Sequence, residues 1–159
     1  MLLGVLTVSD RCSQGLMTDT AGPAIIAIIG RQWPQAEIWT DVVPDDEDLV
    51  VAMLEKLTSE GAALIFTVGG TGLGPRARTP EATRRVIDRE APGLAEAMRF
   101  LSAATHPFAW VSRGVVGLRG NTIIVNLPGS RRAAEESLSP ILPLLQHGIT
   151  AAGSGKSQP

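Results

Sequence analysis

From Ala62 to Val68 the chain reads Ala-Ala-Leu-Ile-Phe-Thr-Val, and four glycines follow within six residues, at Gly69, Gly70, Gly72 and Gly74. An apolar, partly β-branched run of this kind suits a strand buried on both faces, which sets it inside an α/β sheet. Glycines placed directly after such a strand let backbone N–H groups turn towards a ligand and approach it closely. The turn can therefore cradle an anion, although the same residues also serve as a plain tight connector. Thr71 adds a hydroxyl inside the loop, while Arg76 and Arg78 add guanidiniums, the group best shaped to clamp phosphate. Thr79 is expected to cap the next helix, with Pro80 at its first position. Strand, glycine turn and helix start in this order put an anion site at the carboxyl end of a sheet strand. The spacing is neither that of a dinucleotide fingerprint nor that of a phosphate-binding P-loop.

A second segment repeats the design. The apolar residues Ile123 to Val125 run into Asn126-Leu127-Pro128-Gly129-Ser130-Arg131-Arg132, and a helical pattern carrying Ala133, Ala134, Leu138, Ile141 and Leu145 follows, with Pro140 and Pro143 expected to break or kink it. Two such turns, each with hydroxyls and arginines, can converge on one anionic ligand. Polar residues are also delivered by two other predicted strands. Leu2 to Val8 ends at Ser9 and Asp10, which read either as site residues or as turn formers. Glu37 to Val43 ends at Pro44-Asp45-Asp46-Glu47-Asp48, where Asp45 or Asp46 is a natural N-cap and the acidic turn favours a helix macrodipole. A carboxylate there can equally hold a magnesium ion, which usually takes one or two carboxylates plus substrate phosphates.

The remaining pattern fills in the sheet's cover. Thr18, Asp19 and Thr20 offer caps for a helix through Ile25 to Ile29, closed by Gly30, and Leu49, Val50, Met53, Leu54 and Leu57 form a helical stripe. The helix after Thr79 is expected to run through Val86 and Ile87 until Glu90-Ala91-Pro92-Gly93 breaks it. A further helix presents Leu94, Ala97, Met98 and Leu101, and the text from Trp110 to Val125 reads as two strands joined by the turn at Gly120. Helices alternating with buried strands, plus that hairpin, predict an α/β fold with a mostly parallel, mixed sheet. Residues 1–152 read as one domain and 153–159 as a disordered tail, whose Gly155-Lys156-Ser157 lacks the context of a P-loop.

With 159 residues and a formal charge of −2 the chain carries no global basic field, so nucleic acid is not an expected partner. One cysteine, Cys12, permits no internal disulfide and fits a reducing compartment, and no membrane span or leader is legible, so a cytoplasmic protein is expected. His106 and His147 lack clustered partners for zinc.

The motifs Thr7-Val8-Ser9-Asp10-Arg11, Val43-Pro44-Asp45, Gly69-Gly70-Thr71-Gly72, Thr79-Pro80-Glu81-Ala82-Thr83, Ser112-Arg113 and Asn126-Leu127-Pro128-Gly129-Ser130 together resemble the MogA and MoaB-type molybdenum cofactor biosynthesis proteins, relatives of the G-domain of gephyrin. The Ser-Asp-Arg start looks more like the MogA side. This resemblance implies a three-layer αβα sandwich, a homotrimer, and binding of molybdopterin, a pterin with a dithiolene and a terminal phosphate. In the MogA branch it implies transfer of AMP from Mg-ATP to that phosphate with release of pyrophosphate, and hand-over to a molybdenum-insertion protein. By the same resemblance Ser9, Asp10, Gly69 to Gly72 and Thr79, Pro80 and Glu81 would hold the paired substrates. Asn126, Pro128, Gly129 and Ser130 would hold molybdopterin, and Asp45 would act on the magnesium and nucleotide. One departure stands out. The adenylyl-transferring branch carries an Asp two residues before its central Thr-Pro, and that position here is Ala77. A molybdopterin-binding scaffold without transfer is the alternative this substitution implies.

Overall fold

The apolar runs pair into one six-stranded sheet, seen in a computed structural model that describes residues 1–153. In chain order the strands are β1 (Leu2–Val8), β2 (Glu37–Val43), β3 (Leu64–Val68), β4 (Arg89–Glu90), β5 (Val116–Arg119) and β6 (Thr122–Leu127). They lie in the order β2-β1-β3-β6-β5-β4, with β2, β1, β3 and β6 parallel and β5 antiparallel to both β6 and β4. The helices are α1 (Asp10–Ser13), α2 (Ala21–Gln32), α3 (Glu47–Ser59), α4 (Thr79–Val86), α5 (Pro92–Ala103), α6 (Arg131–Leu138) and α7 (Leu142–Gly153).

Period-two alternation along the central strands explains why their sequences are apolar throughout. Leu3, Val5, Leu64, Phe66, Val68, Ile123, Val125 and Leu127 join Ile25, Ile29, Met98, Leu138 and Leu145 in one core, so this face packs on α2, α5, α6 and α7. Leu6, Val8, Ile65 and Ile124 point the other way, onto Val50, Leu54 and Leu57 of α3 and Ala82 and Val86 of α4. The result is a mixed sheet with helices on both faces. Because the chain leaves β1 for β2 on one side and returns to β3 on the other, the strand order reverses between β1 and β3. In open α/β sheets a crevice forms at that point, beyond the carboxyl ends of the strands.

One polar cluster is sealed beneath that crevice. Asn126, fully buried in β6, donates through its amide to the hydroxyls of Thr67 and Thr83, each at 2.9 Å, and accepts from the Val115 N–H at 3.2 Å. Thr83 belongs to α4, so the amide ties that helix to the sheet.

Several local expectations are corrected by tertiary context. Gly30 does not close α2, which runs on to Gln32, while of the three expected caps it is Asp19 that satisfies the opening N–H groups, at Ala21 and Gly22. Leu49 and Leu101 lie outside the core, 47% and 45% exposed. The stretch from Pro107 to Val111 is a 3-10 turn rather than strand. Helix α4 stops at Val86, because Arg89 and Glu90 pair with β5 as an edge strand. A 3-10 turn at Ser139–Ile141 separates α6 from α7, as Pro140 and Pro143 predict. Gly153, expected in the tail, ends α7, and the rest of that stretch lies outside the described residues.

Replacing Asn126 by alanine leaves two buried hydroxyls and the Val115 N–H without their partner. The expected cost is about 3 kcal/mol, or roughly 6–12 °C in Tm for a domain of this size, measured by thermal unfolding.

Candidate functional site

Everything at the crevice is built around two glycines that touch. Gly69 leaves β3 with φ +111°, and its N–H donates to the Leu127 carbonyl at 3.0 Å. A Cβ at this position would collide with the Val8 carbonyl oxygen, while one on Gly129 would stand 3.3 Å from Gly69 Cα. Backbone from β1, β3 and β6 therefore closes to contact where no side chain fits. Gly70, at φ +67°, has a similar role one residue on, since a Cβ there would collide with Thr79 Oγ1 and stand 3.3 Å from Asp45 Oδ1.

This glycine saddle separates two cavities and contributes to both. One, of about 280 Å³, is lined by Gly70, Thr71, Gly72, Pro128 and Gly129 from the two turns, by Met98, Arg99 and Ser102 of α5, by Ser112, and by Ala133, Glu136 and Ser137 of α6. The other, of about 220 Å³, is lined by Ser9, Cys12, Asp19, Asp45, Gly69, Gly70 and Gly129. The two predicted turns thus converge within one chain.

The second cavity is acidic. Asp10 and Asp45 exchange hydrogen bonds, Asp10 N–H to Asp45 Oδ2 at 2.9 Å and Asp45 N–H to Asp10 Oδ1 at 3.0 Å. Arg76 holds the Asp10 carboxylate through Nε at 2.5 Å and a second N–H at 2.9 Å, and also donates to the Asp45 carbonyl. The Arg76 hydrogen bond lowers the Asp10 pKa. Burial raises that of Asp45, and the Asp10 charge adds to the effect. Asp45 is thus the carboxylate with the most to gain from a neighbouring cation. Among the described residues no three His, Cys, Asp or Glu side chains gather into a metal cluster. A magnesium ion that is also held by substrate phosphates needs only one or two protein carboxylates, which this pair can supply.

Other candidate residues make local structural bonds. Ser9 caps α1, its Oγ accepting from Cys12 N–H at 3.2 Å, and Asp46, not Asp45, caps α3. Ser130 caps α6 through Ala133 N–H and is exposed. Thr79 is not the cap of α4 but its first residue. Its N–H bonds Gly70 O at 3.1 Å, and its buried hydroxyl has no hydrogen-bond partner. Pro80 is buried beside it, and Asn126 lies in the sealed cluster below, so neither faces a cavity. Arg78 does not clamp the glycine loop, because Glu47 of α3 captures it at 2.9 Å.

Arg113 is the functional residue that spacing alone does not reveal. Its backbone N–H bonds Thr71 O at 2.9 Å, and its Nε bonds Gly72 O at 2.9 Å. The guanidinium also reaches Glu81 at 2.5 Å and the carbonyl of Ala77. It fastens the glycine loop to α4 from a segment some forty residues away. Its only sequence signal is membership of the Ser112-Arg113 motif. The lining residues Met98 and Glu136 are hidden in the same way, inside helical patterns that core packing explains.

Residues 4–147 match the family model of the probable molybdopterin binding domain, and the chain belongs to that family. It is 36% identical over 147 residues to a molybdopterin adenylyltransferase of Helicobacter pylori, covering 91% of this chain and 84% of that protein. Among solved structures it is similar to the molybdopterin biosynthesis enzyme MoaB from Thermus thermophilus, with 44% identity, TM-score 0.89 and 99% of both chains covered. It is also similar to a structure of MogA, with 33% identity, TM-score 0.91 and 96% and 100% covered. The chain spans about a quarter of the length of the longer curated relatives it matches.

The Arg113 guanidinium holds the Glu81 carboxyl below its ordinary pKa of 4.5. A depressed carboxyl stabilises the fold fully above its unfolded pKa and loses that effect as pH falls through the folded value. Glu81→Gln should therefore cost about 1.5 kcal/mol near neutral pH. Chemical denaturation series should show the two proteins converging as pH falls below 4.5.

Proposed function

We propose that the chain is a molybdopterin adenylyltransferase acting in molybdenum cofactor biosynthesis. The observation that carries this reading is the saddle of Gly69, Gly70 and Gly129 between two adjoining cavities, which suits one phosphorylated substrate on each side. The similarity to the Helicobacter pylori enzyme supports the choice of reaction. An oxygen of the molybdopterin phosphate attacks the α-phosphorus of ATP, a new P–O bond forms, the bond to the β-phosphate breaks, and pyrophosphate leaves.

The side chains divide the task. Ser9, Asp10 and Asp45 face or border the nucleotide's cavity. Thr71, Gly72, Ser112, Pro128 and Gly129 face that of molybdopterin. Asp45 would hold Mg2+ together with phosphate oxygens, and such a cation supplies charge neutralisation at the transferring phosphoryl. Thr79 offers the orphaned hydroxyl behind Gly70, and Arg113 keeps the loop rigid through Glu81. No side-chain nucleophile is required, because positioning and charge compensation account for catalysis of this type.

Ala77 favours a second reading, a molybdopterin-binding scaffold that does not turn over. No carboxylate stands at this position, and the Ala77 carbonyl is occupied by Arg113. Incubation with molybdopterin and Mg-ATP should release pyrophosphate in step with adenylylated product. Asp45→Asn should slow this by about 100-fold or more, as for removal of a main stabiliser of transition-state charge, and Ala77→Asp should raise the rate. Binding without product, at high enzyme concentration, would leave the scaffold reading in its place.

The reading extends to assembly and place. No helix among the described residues is long and apolar enough to cross a membrane. A cytoplasmic homotrimer that passes its product to a molybdenum-insertion protein fits the family expectation. Phe100, Phe108 and Trp110 stand 67%, 75% and 58% exposed, with Phe100 and Trp110 in edge-to-face contact at 6.4 Å, an apolar patch suited to a second copy. Light scattering should return three chain masses, and Trp110→Asp should lower that value.

A further inference from the structure

Away from the crevice, the sheet ends in a long open edge. Strand β2 is seven residues long and pairs on one side only, with β1, whereas β4 at the other edge has two residues. In a parallel ladder alternate residues bond the neighbouring strand and those between turn their backbone groups away. Glu37 N–H donates to the Met1 carbonyl and the Val43 carbonyl accepts from Ser9 N–H. The backbone groups of Glu37, Trp39, Asp41 and Val43 therefore face β1, and those of Ile38, Thr40 and Val42 face outwards. The Val42 N–H is met by the Asp41 carboxylate of its own strand at 2.8 Å. Those of Ile38 and Thr40 have no partner among the described residues. Edge strands of this length are usually blunted by proline or lysine, and Glu37 to Val43 contains neither.

The side chains beside this edge complement themselves. On the α2 face Val42, 37% exposed, borders a groove of about 280 Å³ whose other walls include Gly22, Pro23 and Ile26. On the α3 face the Lys56 ammonium lies 5.4 Å from the centroid of Trp39, and it forms no ion pair among the described residues. Setting Thr40 opposite Thr40 of a second copy, antiparallel, fixes every other pair. Ile38 then stands opposite Val42, Trp39 opposite Asp41, and Glu37 opposite Val43, so no two like charges face each other directly. Thr40, Ile38 and Val42 have the outward groups, and each exchanges two backbone hydrogen bonds with its counterpart. Val42 N–H thereby trades its own Asp41 for the Ile38 carbonyl of the second copy. The released carboxylate comes to rest beside Trp39 and Lys56 of that copy, once on each side of the two-fold axis. Ile38 covers the apolar groove beside Val42.

We propose that the β2 edge is a two-fold interface, at which a second copy of the chain pairs antiparallel and joins two six-stranded sheets into one. The inference is independent of the reaction proposed above. It also leaves the Phe100 and Trp110 face free, because α5, which carries Phe100, packs on β5 towards the other end of the strand order. With one strand from each copy the contact belongs to the small, transient class, and it doubles whatever unit the other face builds.

Light scattering of the full chain across a dilution series tests it. The mass should double between about 1 μM and about 500 μM protein, the range of a small, transient contact. Thr40→Pro removes an N–H that bonds nothing within the chain, at an edge position where proline is tolerated, and should abolish the doubling. Asp41→Lys sets a second cation beside Lys56 of the other copy, twice per contact, and should raise the midpoint concentration about tenfold. Adding Lys56→Glu to that variant should return the midpoint to within about threefold of wild type. Thermal unfolding reports that each variant is folded, and the charge pair decides alone if Thr40→Pro is not. A mass that stays constant over the series overturns the proposal. So does doubling that survives Thr40→Pro in a folded protein, or a midpoint that Asp41→Lys leaves in place. Trp110→Asp should lower the starting mass and keep the doubling, and loss of the doubling in that variant alone also overturns the proposal. A starting mass of one chain that doubles removes the trimer reading and keeps this one.

Discussion

The structure depends on a contact between backbones. Where β1, β3 and β6 end side by side, the chain must turn out of the sheet three times in a space with no room for a Cβ at Gly69, whose would-be side chain meets the Val8 carbonyl. Glycine at that position is a steric requirement before it is a functional one, and its positive φ points the same way. Close approach of the turns then brings Asp45, Gly70, Thr79 and Gly129 to one place, although they span more than eighty residues of sequence. The crevice is therefore a consequence of parallel strand order and not of any local motif.

Around this contact the polar groups are arranged in layers. Deepest is the Asn126 amide with Thr67 and Thr83, which links β6, β3 and α4 with no exposure to solvent. Arg113 forms the next layer. It is partly in solvent, with hydrogen bonds to Gly72, Ala77 and Glu81 that set where the outer part of the glycine loop lies relative to α4. Outermost are the ion pairs of Arg78 and Arg85 with Glu47 and Asp48, which join α4 to α3 across the surface. Pairs of this last kind contribute little to stability, so rigidity at the site comes from the two inner layers.

Charge is distributed unevenly between the two cavities. Arg76 neutralises Asp10, while its neighbour Asp45 is buried enough that its ionised form is disfavoured. On the other side of the saddle a single carboxylate, Glu136, sits among apolar walls. The two cavities that share the glycine saddle therefore differ in charge and in the polarity of their walls.

Much of the fold was legible from residue order because strands buried on both faces leave unbroken apolar runs, and because Pro128, Gly129 and Asp46 signal turns and a cap through local backbone chemistry. Local chemistry also marked both glycine turns, which the structure brings together at one crevice. It failed wherever a distant partner overrode a local preference. Arg78 turned to Glu47 instead of the loop, Thr79 was drawn into the first turn by its bond to Gly70, and Arg89 and Glu90 paired with β5 instead of ending a helix. The role of Arg113 was beyond residue order altogether, since it is defined by groups tens of residues away. Sequence by itself determined which segments are strands and where the chain must turn, because those follow from side-chain period and backbone freedom. Only the tertiary structure decided which turns share a cavity and which polar atoms are left without a partner, because both depend on the order in which strands lie side by side.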